Sequence, residues 1–181
     1  MQLRDNGLRF SPITIVLHWL VAALLFSILG LGVAMAQSPG DARLVQLQNL
    51  LGTLLFLISI YRFWARVTSF HPLPVGSPNP VEVIVARSVA TALALAMVLL
   101  PVAVWLSRAA AGVAVELPGG LALPTVISPN EQVKAVVDVL FNIGATAFLA
   151  GLVLHLFGAF KNHFVLKNLA LRRILGKQVE L

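Results

Sequence analysis

The chain has 181 residues, 59% hydrophobic and only 11% charged, with a formal net charge of +6 and no cysteine. That composition excludes an ordinary soluble domain and points to a polytopic membrane protein. Lack of cysteine excludes disulfides, thiolate ligands, iron–sulfur clusters and cysteine nucleophiles. The positive charge gathers on alternate connections, as membrane topology requires, so no nucleic-acid partner is expected.

Four apolar stretches, near residues 13–35, 47–64, 84–106 and 133–160, are each long enough to cross the ~30 Å hydrocarbon core. The expected fold class is an all-α membrane protein, an antiparallel four-helix transmembrane bundle forming a single domain over 1–181. Span one opens with Ser11 as N-cap and Pro12 at the first helical position, where a missing N–H costs nothing. His18 follows six residues later, ~9 Å along the axis. The span closes at the turn cluster Gln37-Ser38-Pro39-Gly40. Arg4 and Arg9, the apolar run and Ala34-Met35-Ala36 together also imitate a secretory signal with its A-x-A site. The run is longer than such signals carry and contains His18 and Trp19, so a retained span is expected.

Span two ends at Arg62 and Arg66, whose stems are expected to snorkel to the interface. From His71-Pro72-Leu73-Pro74 to Pro78-Asn79-Pro80 the chain reads as an extended loop, with His71 solvated. Span three carries Pro101, which predicts a kink, and is followed by a loop over about 109–128 containing Gly119-Gly120. Ser128-Pro129-Asn130-Glu131 reads as a capping box opening span four, with Pro129 as the first helical residue. Asp138, near the outer end, is expected to face water or Gln48. Gly144, Gly151 and Gly158 recur every seven residues, on the stripe that also carries His155. Such a stripe packs helices closely, or forms a shallow trough that admits a flat macrocycle.

Arg4, Arg9, Arg62, Arg66, Arg87, Lys161, Lys167, Arg172, Arg173 and Lys177 fall on the side of the two termini. Only Arg43, Arg108 and Lys134 fall opposite. The positive-inside rule therefore puts both termini in the cytoplasm.

Ionisable side chains within a span are costly and mark function. His155 precedes His163 by eight residues, ~12 Å from the inner end of its helix, which matches the depth of His18. Two neutral imidazoles at one depth on two helices can clamp one haem iron and close it to other ligands. The second ring N–H of each would reach a carbonyl one turn earlier, at Thr14 and Gly151. The alternative is a pair of structural histidines hydrogen-bonded between helices. Arg9, Arg62, Arg66 and Arg87 lie near the inner interface, available to haem propionates or serving only to set topology.

Ser11-Pro12, five residues and then His18-Trp19 resembles the first span of the bacterial di-haem cytochrome b561 family. Leu154-His155, Asn162-His163-Phe164 and Leu171-Arg172-Arg173 resemble its closing segment, and Arg62-Phe63-Trp64-Ala65-Arg66 also falls in place. The resemblance covers most of the chain, though the loops match poorly. It implies four helices and two b haems, one near each face, and in some members electron transfer between superoxide and ubiquinone.

The departures concern the outer haem. Where the family has His-x-x-x-Gly in span two, this chain reads Gln48-Asn49-Leu50-Leu51-Gly52, and the family's other outer histidine falls on Phe141. Phe141 and His155 are 14 residues apart, on one face and ~21 Å apart along the helix. The resemblance therefore implies one haem b, with His18 and His155 as iron ligands, flanked by Arg9 and Arg66. It also implies that His163 could line a quinone-head site, although Asn162 stands where the family often has a further histidine.

The expected protein is a b-type cytochrome of the bacterial inner membrane, surrounded by lipid, exchanging single electrons with quinone or a partner redox protein. The alternative is an accessory subunit of a larger membrane complex, with one haem or none. Superoxide oxidation is disfavoured: the outer loops and helix ends carry a net charge of −1 and offer no positive funnel.

Overall fold

The computed structural model describes residue 5 and residues 9–68, 79–168 and 170–177. Arg4, His71 and the stretch 71–78 of the expected loop lie outside the described residues.

Four long helices dominate: α1 (Pro12–Gln37), α2 (Ala42–Thr68), α3 (Pro80–Ala110) and α4 (Glu131–Phe160), with a short α5 (Ala170–Ile174) after a π-helical turn at Lys161–Val165. All four are long and apolar enough to cross a membrane. The chain is thus an all-α, four-helix transmembrane bundle. Each helix runs past the apolar stretch that predicted it. Hydropathy marks only the part in hydrocarbon, while the i→i−4 ladder continues into the polar interface.

The first start is as expected. Ser11 is extended, and its Oγ accepts from the Thr14 N–H at 3.2 Å. Asp5 adds a second layer, its Oδ1 accepting from the Ser11 N–H and the Thr14 hydroxyl, both at 2.7 Å. The start of α4 corrects the expectation. Its N-cap is Asn130, not Ser128, and the helix begins at Glu131, not Pro129. The Asn130 carboxamide accepts from the Val133 N–H at 3.0 Å, and its own N–H donates to the Ala110 carbonyl at 2.8 Å. That second bond fastens the start of α4 to the end of α3, a tertiary constraint that a local capping pattern cannot carry. α3 remains helical through Pro101.

The loop after α3 holds a structure not foreseen from sequence. β1 (Val115–Glu116) pairs antiparallel with β2 (Ala122–Leu123) across a tight turn. Positive φ at Gly119 and Gly120, 80° and 76°, explains the paired glycines. The hairpin docks on α2, where Asn49 Nδ2 donates to the Glu116 carbonyl at 2.8 Å. Trp105 Nε1 ties the segment back to α3 through the Pro124 carbonyl at 2.9 Å. Asp138 is partly exposed, as expected, and its bonds go to residues other than Gln48. It accepts from the Ser107 hydroxyl of α3 at 2.5 Å and from Lys134 at 2.7 Å, one turn earlier.

α4 packs most intimately on α3, α3 and α1 each pack on α2, and the backbones of α1 and α4 stay apart. Leu25 of α1, Leu93 of α3 and Phe148 of α4 form the buried centre, flanked by Leu29, Leu100 and Leu152. The glycine stripe divides along its length. A Cβ on Gly144 would lie 3.2 Å from Leu100, and one on Gly151 3.4 Å from Leu93. These two glycines receive α3 side chains and form no trough there. Gly158, nearest the inner end, has nothing within 4 Å of that position.

Gly144→Leu is therefore expected to drive α3 and α4 apart and cost about 1–3 kcal/mol. Gly30→Leu, at a position with open space around it, should cost much less. Thermal unfolding of the two variants in detergent checks the difference.

Candidate functional site

The inner end of the bundle brings together residues far apart in sequence. α1 delivers His18 and α4 delivers His155, with ring centroids 6.3 Å apart and planes inclined by 57°. Both rings are half-buried. No hydrogen bond joins the two rings among the described residues; the interhelical contact on His18 comes from Arg62 of α2. A metal–imidazole bond is about 2 Å and a ring nitrogen lies about 1 Å from its centroid, so two imidazoles on opposite sides of one metal have centroids about 6 Å apart. The observed spacing fits that arrangement. Rotation about a shared axis leaves the inclination free.

Among the described residues, no group of three or more His, Asp or Glu side chains is placed to hold a metal ion. Two imidazoles alone are a weak site. They become a strong one when a macrocycle supplies the remaining ligands, as in haem. The separation of α1 from α4 and the open space beside Gly158, three residues from His155, suit a flat group between the two helices.

The surroundings are cationic. Arg62 Nη2 lies 3.5 Å from His18 Nδ1. This corrects one expectation, since the partner seen on the His18 ring is Arg62 and not the Thr14 carbonyl. The reason is depth. Arg62 is six residues inside the end of α2, ~9 Å, the same depth as His18 from the start of α1. Counting depth for arginines as well as histidines would have found the contact.

Arg66, one turn further out, is held against α3 instead. Its Nε donates to the Thr91 hydroxyl at 3.1 Å and its Nη2 to the Arg87 carbonyl at 3.3 Å. Arg9 is exposed just before α1. His163 lies in the π-helical turn with its ring edge against Phe164, centroids 4.7 Å apart. The structure does not bring it into contact with His18 or His155.

Two further contacts close the inner end. Trp19 Nε1 donates to the Ile174 carbonyl at 3.1 Å, drawing α5 onto the start of α1. Lys161 pairs with Glu82 at 2.8 Å, joining α4 to α3. Neither was visible in sequence, because each partner lies in a segment with no periodic signal of its own.

The sequence matches the prokaryotic cytochrome b561 family over residues 9–177. It is also 28% identical over 181 residues to cytochrome b561 homolog 2 of Escherichia coli (strain K12), covering 98% of this chain and 96% of that protein. The match takes in all four spans and the segment that carries α5. The chain belongs to the prokaryotic cytochrome b561 family and is a membrane-spanning b-type cytochrome of electron transport.

Proposed function

We propose that this chain is a single-domain cytochrome that holds one b haem at the inner end of the bundle, where His18 and His155 would ligate its iron. The observation that carries this reading is the 6.3 Å spacing of the two rings. Bound there, haem supplies reversible one-electron chemistry. The chain's own residues do the rest. His18 and His155 bring their rings from two helices to 6.3 Å of each other, where they would hold the iron. Arg9 and Arg66 place positive charge at the same end, suited to the haem carboxylates. The apolar spans keep water from the site.

The cation-rich end of the bundle is the cytoplasmic end in this reading, and the protein lies in the bacterial inner membrane with both termini inside. Electrons pass to or from quinone, with His163 facing the head group, or to a partner redox subunit. Gln48 and Phe141 supply no second ligand pair, since phenylalanine cannot ligate and a carboxamide is a poor haem ligand. The accessory-subunit alternative gains no specific support from the geometry.

Purified protein made with ample haem is expected to contain one b haem per chain, with the reduced-minus-oxidised spectrum of a low-spin bis-imidazole centre. Two haems per chain would overturn the reading of Gln48 and Phe141. No haem would favour the accessory role.

A further inference from the structure

We propose that Arg62 sets the electron affinity of the inner site by holding an uncompensated positive charge beside the ring of His18; this rests on the reading of His18 and His155 as haem ligands. A guanidinium carries five donors and does not deprotonate in proteins. Among the described residues, the ion pairs join Lys134 to Asp138 and Lys161 to Glu82. Among the described residues no carboxylate pairs with Arg62, and the partner it does have is the Nδ1 edge of His18. Within a low-dielectric span such a charge acts strongly on its neighbours.

The contact has a direct chemical consequence. Arg62 can donate to Nδ1 only while that nitrogen keeps its lone pair. A neutral imidazole that gives its Nε2 lone pair to a metal carries its proton on Nδ1. Donor then faces donor, and the guanidinium must leave that nitrogen. The backbone of Arg62, six residues inside the end of α2 and at the depth of His18, fixes its range, and Arg66 repels it. Displaced from Nδ1 by no more than its own reach, the charge remains at the depth of the His18 ring. Positive charge there favours the state with the additional electron. Arg66, turned to α3, and Arg87, exposed on α3, are more distant or more screened, and contribute less.

Equilibrium redox titration of haem-loaded protein tests this, with dithionite giving one electron to each ferric site and ferricyanide taking it back. Arg62→Gln is expected to lower the midpoint potential by at least a tenfold change in the oxidised-to-reduced ratio, about 59 mV for one electron. Arg62→Lys, which keeps the charge, should stay within about threefold of wild type, as should Arg43→Gln at the opposite end of the bundle. A midpoint unchanged in Arg62→Gln, with haem content intact, overturns the proposal and leaves the ligand reading standing. Loss of haem from Arg62→Gln but not from Arg62→Lys makes the residue an anchor and also overturns it. Wild-type protein without low-spin haem would instead remove the ligand reading beneath it.

Discussion

Replacing His18 or His155 by alanine is expected to abolish the low-spin haem spectrum, each substitution alone being sufficient. The two rings come from helices whose backbones do not pack on one another. Nothing else among the described residues offers a second imidazole at that point, since His163 is turned against Phe164. A single remaining ligand leaves the iron five-coordinate, high-spin and weakly held. Stability should fall with the spectrum. A ligand that binds only the folded state contributes about 2.7 kcal/mol when present at a hundred times its dissociation constant. Optical spectra, haem quantification and thermal unfolding in detergent read these effects together. His71→Ala and His163→Ala serve as comparisons and should keep the low-spin spectrum. Retention of that spectrum in either His18→Ala or His155→Ala would show that the ligand pair is not this one.

The double substitution Gln48→His with Phe141→His is expected to add part of a second haem per chain, whereas either single substitution adds none. Both positions are half-buried. Gly52, one turn from Gln48, has no atom within 4 Å of a built Cβ, so space remains on the α2 side. On the α4 side it is tighter, because Leu100 already meets Gly144, one turn from Phe141. Only partial occupancy is therefore expected. One imidazole cannot hold the group, so the effect should be strongly non-additive. Haem quantification decides the matter. A double variant that stays at one haem would mean that side chains have closed the outer space, and that this chain alone does not carry electrons across the membrane.

The helices and the histidine pair were legible in the sequence for one shared reason. Long apolar runs fix depth, and depth converts residue counts into distances of ~1.5 Å each. His18 and His155 could therefore be matched before any contact was known. Arg62 stands at the same depth, yet its residue type points to the interface and hides its contact with the His18 ring. The start of α4 was misplaced because Ser128-Pro129 is a good local signal. Asn130 is the better cap once its N–H is taken by the Ala110 carbonyl, a partner from another helix. The hairpin was missed for a similar reason. Strands of two residues have no periodicity to read, and this pair is held by Asn49 from α2. Where position followed from local pattern or from depth, the sequence was readable. Where it followed from a bond between elements, it was not.

The bond from Trp19 Nε1 to the Ile174 carbonyl spans 155 positions of the chain, and its consequence lies in time. Synthesis at about 5–20 residues per second leaves roughly 8–30 s between the appearance of Trp19 and that of Ile174. Throughout that interval α1 is made but its clasp is not. His18, beside Trp19, waits almost as long for His155. The nascent chain therefore passes through a stage in which the first half of the site exists without the second. Assembly of the inner site is confined to the nearly finished polypeptide, and a ribosome stalled before α4 would leave a membrane-inserted chain unable to bind at all.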